Sequence, residues 1–143
     1  MVKLRLRRRG RKFRPFYDIV AVDSRARRDG RFIERIGYYD PMTTPSTIVI
    51  NEERALYWLR VGAQPTDIVR HLLSTQGILL RLHLERKGVP AEEIEQAVAR
   101  HREIVAQRVQ RILEKKQKKY QKSKPQPAPA AENEAAAAES QEG

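Results

Sequence analysis

A chain of 143 residues has room for one ordinary domain and an extension, and its net charge of +11 with a pI near 10.3 favours a polyanionic partner. The absence of cysteine excludes disulfides, thiolate metal sites and a thiol nucleophile. No apolar run approaches the roughly 20 residues that cross a bilayer, and the arginine-rich start lacks a signal peptide's apolar centre, so a soluble cytoplasmic protein with no membrane partner is expected.

Val2, Leu4 and Leu6 alternate with Lys3, Arg5 and Arg7, the period of a half-buried strand. Seven of the ten residues from Lys3 to Lys12 are cations. A strand would fix such charges at a sheet surface, with same-face neighbours about 6.6–6.8 Å apart, close to the spacing of successive phosphates. A solvated edge strand is the plainer reading, but this density, and the excess of Arg over Lys, favour nucleic-acid binding. Arg8–Arg14 reads as a turn or loop around Gly10. Tyr17–Asp23 is apolar on both faces except at Asp18, which suits a central strand. Ser24–Arg31 is a long basic connection with the turn dipeptide Asp29-Gly30, and Phe32–Tyr39 returns as a third strand before Asp40-Pro41.

Thr47–Ile50 is a short β-branched run. Asn51 has the character of a helix N-cap, followed by Glu52 and Glu53 at the positive end of the helix dipole. Ala55, Leu56, Trp58 and Leu59 form that helix's apolar face, and Gly62 stops it. Gln64-Pro65-Thr66-Asp67 restarts a helix with Pro in its first turn, burying Ile68, Val69, Leu72 and Leu73 and ending at Gly77. The fold class is therefore α+β: a small mixed or antiparallel sheet covered on one face by two helices, in a domain of residues 1–80. Ile78–Lys87 continues as a third helical segment. From Val89-Pro90 a long helix carries a narrow stripe of Ile94, Val98, Val105, Val109 and Ile112, with His101 on it, so residues 81–122 form a helical extension. Residues 123–143 read as a disordered Pro/Ala/Glu-rich tail.

Charge is unevenly spread. Residues 1–37 hold thirteen Lys/Arg against four Asp/Glu, residues 38–90 six against five, residues 91–124 ten against five, and residues 125–143 only four Glu. The N-terminal third is the expected partner surface. The lysine-rich end of the long helix could be a second RNA-binding element, but packing of its stripe on the core is the default reading.

These landmarks, in one order, resemble the bacterial small-subunit ribosomal protein sixteen family. The residues that carry the likeness are Met1–Arg7 with Gly10, Pro15–Arg25, Arg28–Arg31, Ile33-Glu34, Ile36-Gly37, Tyr39–Pro41, Trp58-Leu59 and Gly62–Asp67. The resemblance spans about residues 1–80 and implies a small α+β ribosomal fold and a structural constituent that binds small-subunit rRNA early in assembly, beside neighbouring small-subunit ribosomal proteins. It implies no enzyme, cofactor or small-molecule substrate. The extension beyond Leu80 departs from that compact pattern.

For structured rRNA, phosphate contacts supply affinity while shape and 2′-OH contacts guide recognition. Lys3, Arg5, Arg7, Arg8, Arg9, Arg11, Lys12 and Arg14 are the first candidates, and Arg25, Arg27, Arg28 and Arg31 on the long loop the second. Arg suits ordered contacts because it clamps a phosphate with two donors. Some of these arginines should instead pair with Asp18, Asp23, Asp29 or Glu34. Among the aromatics, Phe13 in the basic loop is the candidate for base stacking, whereas Phe16, Tyr39 and Trp58 are expected in the core. His71, His83 and His101 have no metal-ligand spacing, and no glycine-rich phosphate loop exists. The acidic set Asp18, Asp23, Asp29 and Asp40 could in principle hold Mg²⁺ for a nuclease, but ion pairing with the surrounding arginines explains it more simply. A free-standing RNA-binding assembly or regulatory factor is the alternative to a resident constituent.

Overall fold

The computed structural model describes residues 1–123. Strands β1 (Val2–Arg11) and β2 (Arg14–Asp23) pair antiparallel from Val2 opposite Asp23 to Arg11 opposite Arg14. β3 (Glu34–Asp40) and β4 (Thr47–Ile50) extend the sheet on the other side of β2, again antiparallel. The two-residue β5 (Gln64–Pro65) joins β1 in parallel, giving the order β4-β3-β2-β1-β5. The expected mixed sheet is therefore present, with the doubly apolar β2 at its centre.

Arg8–Arg14 is not a loop. β1 runs on to Arg11, and only Lys12 and Phe13 turn the chain. Pairing persists because Arg8 and Arg9 stand opposite Tyr17 and Phe16, β-favouring neighbours on which arginine stems can lie. Gly10 has φ 83°, and a Cβ there would stand 2.4 Å from the carbonyl oxygen of Arg14, so the close approach of the strands near the tip depends on it. The third strand likewise begins later than its pattern suggests, at Glu34, although the Ile33 amide already donates to the Ala21 carbonyl at 2.9 Å.

Pairing fixes two faces. Leu4, Ile19, Ala21 and Ile36 are buried on one, beneath the helices, with Val2, Leu6, Tyr39, Ile48 and Ile50 packed around them. α1 (Glu52–Arg60) supplies Ala55, Leu56 and Leu59, and α2 (Asp67–Thr75) supplies Val69, Leu72 and Leu73. α3 (Ile78–Arg86) adds Ile78 and Leu82 to the same core, so three helices cover this face where the sequence suggested two. Asn51 caps α1 by accepting from the Arg54 amide at 3.1 Å. Trp58 packs against the core, half-buried, as expected.

Pro65 is not in a helical first turn. It pairs with Leu4 at the sheet edge, where its missing N–H costs no ladder bond, and Thr66 then becomes the N-cap of α2. The later start leaves Ile68 61% exposed, one residue off the buried stripe of Val69, Leu72 and Leu73.

α4 spans Ala91–Ser123. Two compact units divide the chain, Met1–Gln110 and Arg111–Gly143. In the first, Ile94 and Val98 are buried and Val105 and Val109 half-buried, while Arg102 donates to the Gln76 carbonyl at 3.3 Å and pairs with Glu52. In the second, the described part is helical to Ser123, with Lys115, Lys116, Lys118 and Lys119 exposed. The tail expected to be disordered lies, from residue 124, outside the described residues. No helix among the described residues is long and apolar enough to cross a membrane.

Candidate nucleic-acid interface

The face of the sheet away from the helices is built by the alternate residues of the same strands. Lys3, Arg5, Arg7 and Arg9 on β1 stand opposite Val22, Val20, Asp18 and Phe16 on β2, and Arg35 and Tyr38 on β3 continue the surface. Alternation alone puts this row of cations on one side, because the apolar residues between them are taken by the core.

The row is not uniform. Arg5 reaches the backbone of the long loop, its guanidinium donating to the carbonyls of Ala26 and Arg28 at 3.3 Å and to that of Arg27. Those bonds tie residues 26–28 to the helix-free face, where Val20 and Val22 are only 1% exposed. Arg5 therefore braces the loop that carries the second basic group. Arg7 lies over the Phe32 ring, 5.1 Å from its centroid. Arg9 pairs with Asp18 at 3.1 Å, and Arg35 reaches the other oxygen of the same carboxylate at 3.1 Å.

Arg8, Arg11, Lys12 and Arg14 surround the hairpin tip and are exposed. Phe13 crowns it at φ 65°, 84% exposed, with the Lys12 ammonium 5.2 Å from its ring centroid. Positive φ for a bulky residue is strained, and an aromatic ring gains nothing from water, so this tip pairs a backbone cost with an unburied apolar surface. Phe16, expected in the core, instead stacks on Tyr38 at 5.3 Å on the helix-free face, because pairing with Arg9 fixes its side. Tyr39 packs against the core as expected, stacked on Tyr17 at 6.3 Å.

On the loop, Arg25, Arg27, Arg28 and Arg31 are all exposed. Arg28 touches Asp29 at 3.5 Å, a surface pair of little energetic weight. Asp23 starts the loop by accepting the Arg25 amide at 2.8 Å. That bond, with the nearby chain N-terminus and the Arg25 charge, holds the Asp23 carboxyl below its ordinary range. Among the described residues, Lys3, Arg8, Arg11, Arg14, Arg25, Arg27 and Arg31 have no acidic partner, so most of the predicted cations remain available to an anion.

The carboxylates are used locally. Asp40 accepts the Met42 amide at 2.9 Å, and Glu34 is forked by Arg54 at 2.6 Å and receives the Trp58 indole N–H at 2.8 Å. No three His, Asp or Glu side chains gather as metal ligands among the described residues. Sequence reasoning missed Arg35 as a member of the basic face. Its signal was Asp18, a lone charge in an otherwise apolar strand that needed a partner from a neighbouring strand.

A family model described as ribosomal protein S16 matches residues 8–66, the stretch from the hairpin to the start of α2. The chain is 45% identical to the small ribosomal subunit protein bS16 of Chlorobaculum tepidum, over 87% of this chain and 92% of that protein. It is 48% identical to the protein of the same name from Prosthecochloris aestuarii, over 92% of this chain and 97% of that one. The chain belongs to the ribosomal protein S16 family. This is a family of structural ribosomal constituents, not enzymes. The bS16 of Salinibacter ruber is 52% identical over 78% of this chain but only 54% of its own length, so relatives differ in what they append. The family match stops at residue 66, whereas the two former relatives align over most of the helical extension as well.

Proposed function

We propose that this chain is a resident constituent of the bacterial small ribosomal subunit that holds small-subunit rRNA on the basic hairpin and the arginine-rich loop of its 1–80 core, in the cytoplasm and beside neighbouring ribosomal proteins. The observation that carries this reading is the hairpin itself. Arginines follow one another along β1 to an exposed, strained Phe13, an arrangement that makes sense against an anion and a base but not against water. Arg8, Arg11 and Arg14 would neutralise phosphates at the tip, Phe13 would stack on an unpaired base, and the braced loop would present Arg25, Arg27, Arg28 and Arg31 to adjoining backbone.

The test is a titration of a small-subunit rRNA transcript at several salt concentrations. Changing Arg8, Arg11 and Arg14 together to Ala should weaken binding and flatten its log–log salt dependence by about 0.7–0.9 for each phosphate no longer neutralised. Phe13→Ala should weaken binding about fivefold or more while leaving the slope alone, since stacking releases no counterions. An unchanged slope in the triple variant overturns the reading. Salt-washed subunits separate residence from a passing visit: one copy per particle is expected, and a substoichiometric, salt-labile signal would favour an assembly factor.

A further inference from the structure

Asp18 is the feature of the helix-free face that a purely basic surface does not explain. Its side chain is 2% exposed, and both oxygens face arginines, Oδ2 towards Arg9 and Oδ1 towards Arg35, each at 3.1 Å. Burying a carboxylate carries a large desolvation cost, and a sheet that needed only positive charge would carry an apolar residue here. One carboxylate neutralises one guanidinium, so the trio keeps a positive charge, and Arg7, directly opposite Asp18, adds another. Arg9 and Arg35 remain 57% and 45% exposed. Arg9 donates a hydrogen bond from Nη1 to Oδ2, whereas Arg35 Nε faces Oδ1 as an ion pair without hydrogen-bond alignment, which leaves Oδ1 without a hydrogen-bond partner, and both guanidiniums keep further donors. Stacked aromatics hold the floor of this site: Phe16 lies on Tyr38, and the Arg35 guanidinium sits 6.0 Å from the Tyr38 centroid.

We propose that Asp18 is a positioning residue that holds Arg9 and Arg35 as a two-armed clamp for an RNA backbone phosphate. This makes Arg35 a phosphate ligand outside the basic N-terminal run. The proposal rests on the rRNA-binding reading and deepens it by naming a site on the open face of the sheet, away from the hairpin tip. Two arginines already drawn towards one carboxylate lose less side-chain freedom when the phosphate arrives than two loose ones, which is where the advantage lies.

Charge and geometry predict opposite signs for one substitution. Asp18→Asn adds a positive charge to the face, so diffuse attraction alone would tighten RNA binding. A clamp without its anchor binds more weakly. With full-length chains and the same rRNA transcript, Asp18→Asn should bind about tenfold more weakly, with a salt slope lower by about 1, despite its higher net charge. Arg35→Lys, which keeps the charge and removes the fork, should also weaken binding several-fold at an unchanged slope. Circular dichroism establishes that each variant is folded. Should Asp18→Asn fail to fold, Arg35→Lys decides alone, because it leaves the buried Asp18 and its bond from Arg9 in place. Wild-type affinity in either folded variant overturns the clamp. If the hairpin triple variant still weakens binding in that case, the rRNA-binding reading stands without it. A wild-type chain that does not bind the transcript overturns both.

Discussion

Glu34 shows how one side chain fastens the sheet to the helices. It sits opposite Ala21 on β3, and its carboxylate takes a fork from Arg54 and an N–H from Trp58, both on α1. The Arg54 hydrogen bond foremost, and the Trp58 bond after it, hold the Glu34 carboxyl below the ordinary glutamate value of 4.5, while Glu34 raises Arg54. A depressed carboxylate contributes stability that is fully present above its unfolded pKa and is lost as pH falls through the lower folded value. Wild type should therefore exceed Glu34→Gln in stability at pH 7, and the gap should close as pH falls below the ordinary value of 4.5. Urea unfolding followed by the fluorescence of Trp58 measures this beside the group concerned. A gap that does not narrow as pH falls through the acid range would mean that the altered hydrogen-bond geometry, and not the charge, carries the effect.

Among the elements, legibility followed the source of the signal. β1 announced itself through Val2, Leu4 and Leu6, and β2 through apolar residues on both faces, because each pattern reports local burial. The continuation of β1 to Arg11 was hidden, since consecutive arginines carry no period and Gly10 resembles a loop residue; only Tyr17 and Phe16 across the ladder reveal the strand. Pro65 misled for a similar reason, its role being set by Leu4, at the far end of the domain's sequence. The row of cations Lys3, Arg5, Arg7 and Arg9 was legible from alternation along β1, whereas Arg35 on β3 was not. The division of labour within the basic face, Arg5 bracing a loop and Arg9 meeting Arg35 on Asp18, depends on pairing that one strand's sequence does not contain. Gly37 is a sharper case of such dependence. A Cβ there would stand 2.1 Å from the Val49 carbonyl oxygen and 2.9 Å from the Ile50 Cα, backbone atoms that cannot rotate away. Gly37→Ala must push β4 off β3 and should cost about 1–3 kcal/mol, in the range of core overpacking, seen as a lowered urea midpoint. A midpoint within error of wild type would show that β4 shifts freely and contributes little to the sheet.

At the scale of the molecule, α4 divides between holding the core and offering charge. Ile94 and Val98 are 6% and 8% exposed, and Arg102 fastens the same stretch to Gln76 and Glu52. Past Gln110 none of the described residues is a buried apolar one, while Arg111, Lys115, Lys116, Lys118, Lys119 and Lys122 stand against Glu114 alone in the sequence up to Ser123. Two truncations separate these roles. A chain ending at Gln110 should unfold within about 0.5 kcal/mol of full length, as removal of exposed surface does. A chain ending at Gly88 should lose about 3 kcal/mol or more, since burying one such aliphatic side chain contributes about 1.5–3 kcal/mol and two are removed. Binding gives the second readout, on the stably folded shorter chain. If the lysines meet phosphate, the chain ending at Gln110 should bind small-subunit rRNA with a shallower salt slope than full length, by about 0.7–0.9 for each phosphate those cations neutralise. An unchanged slope would make that end of α4 a solvated face, and the polyanion-binding surface would then lie wholly within the first 110 residues.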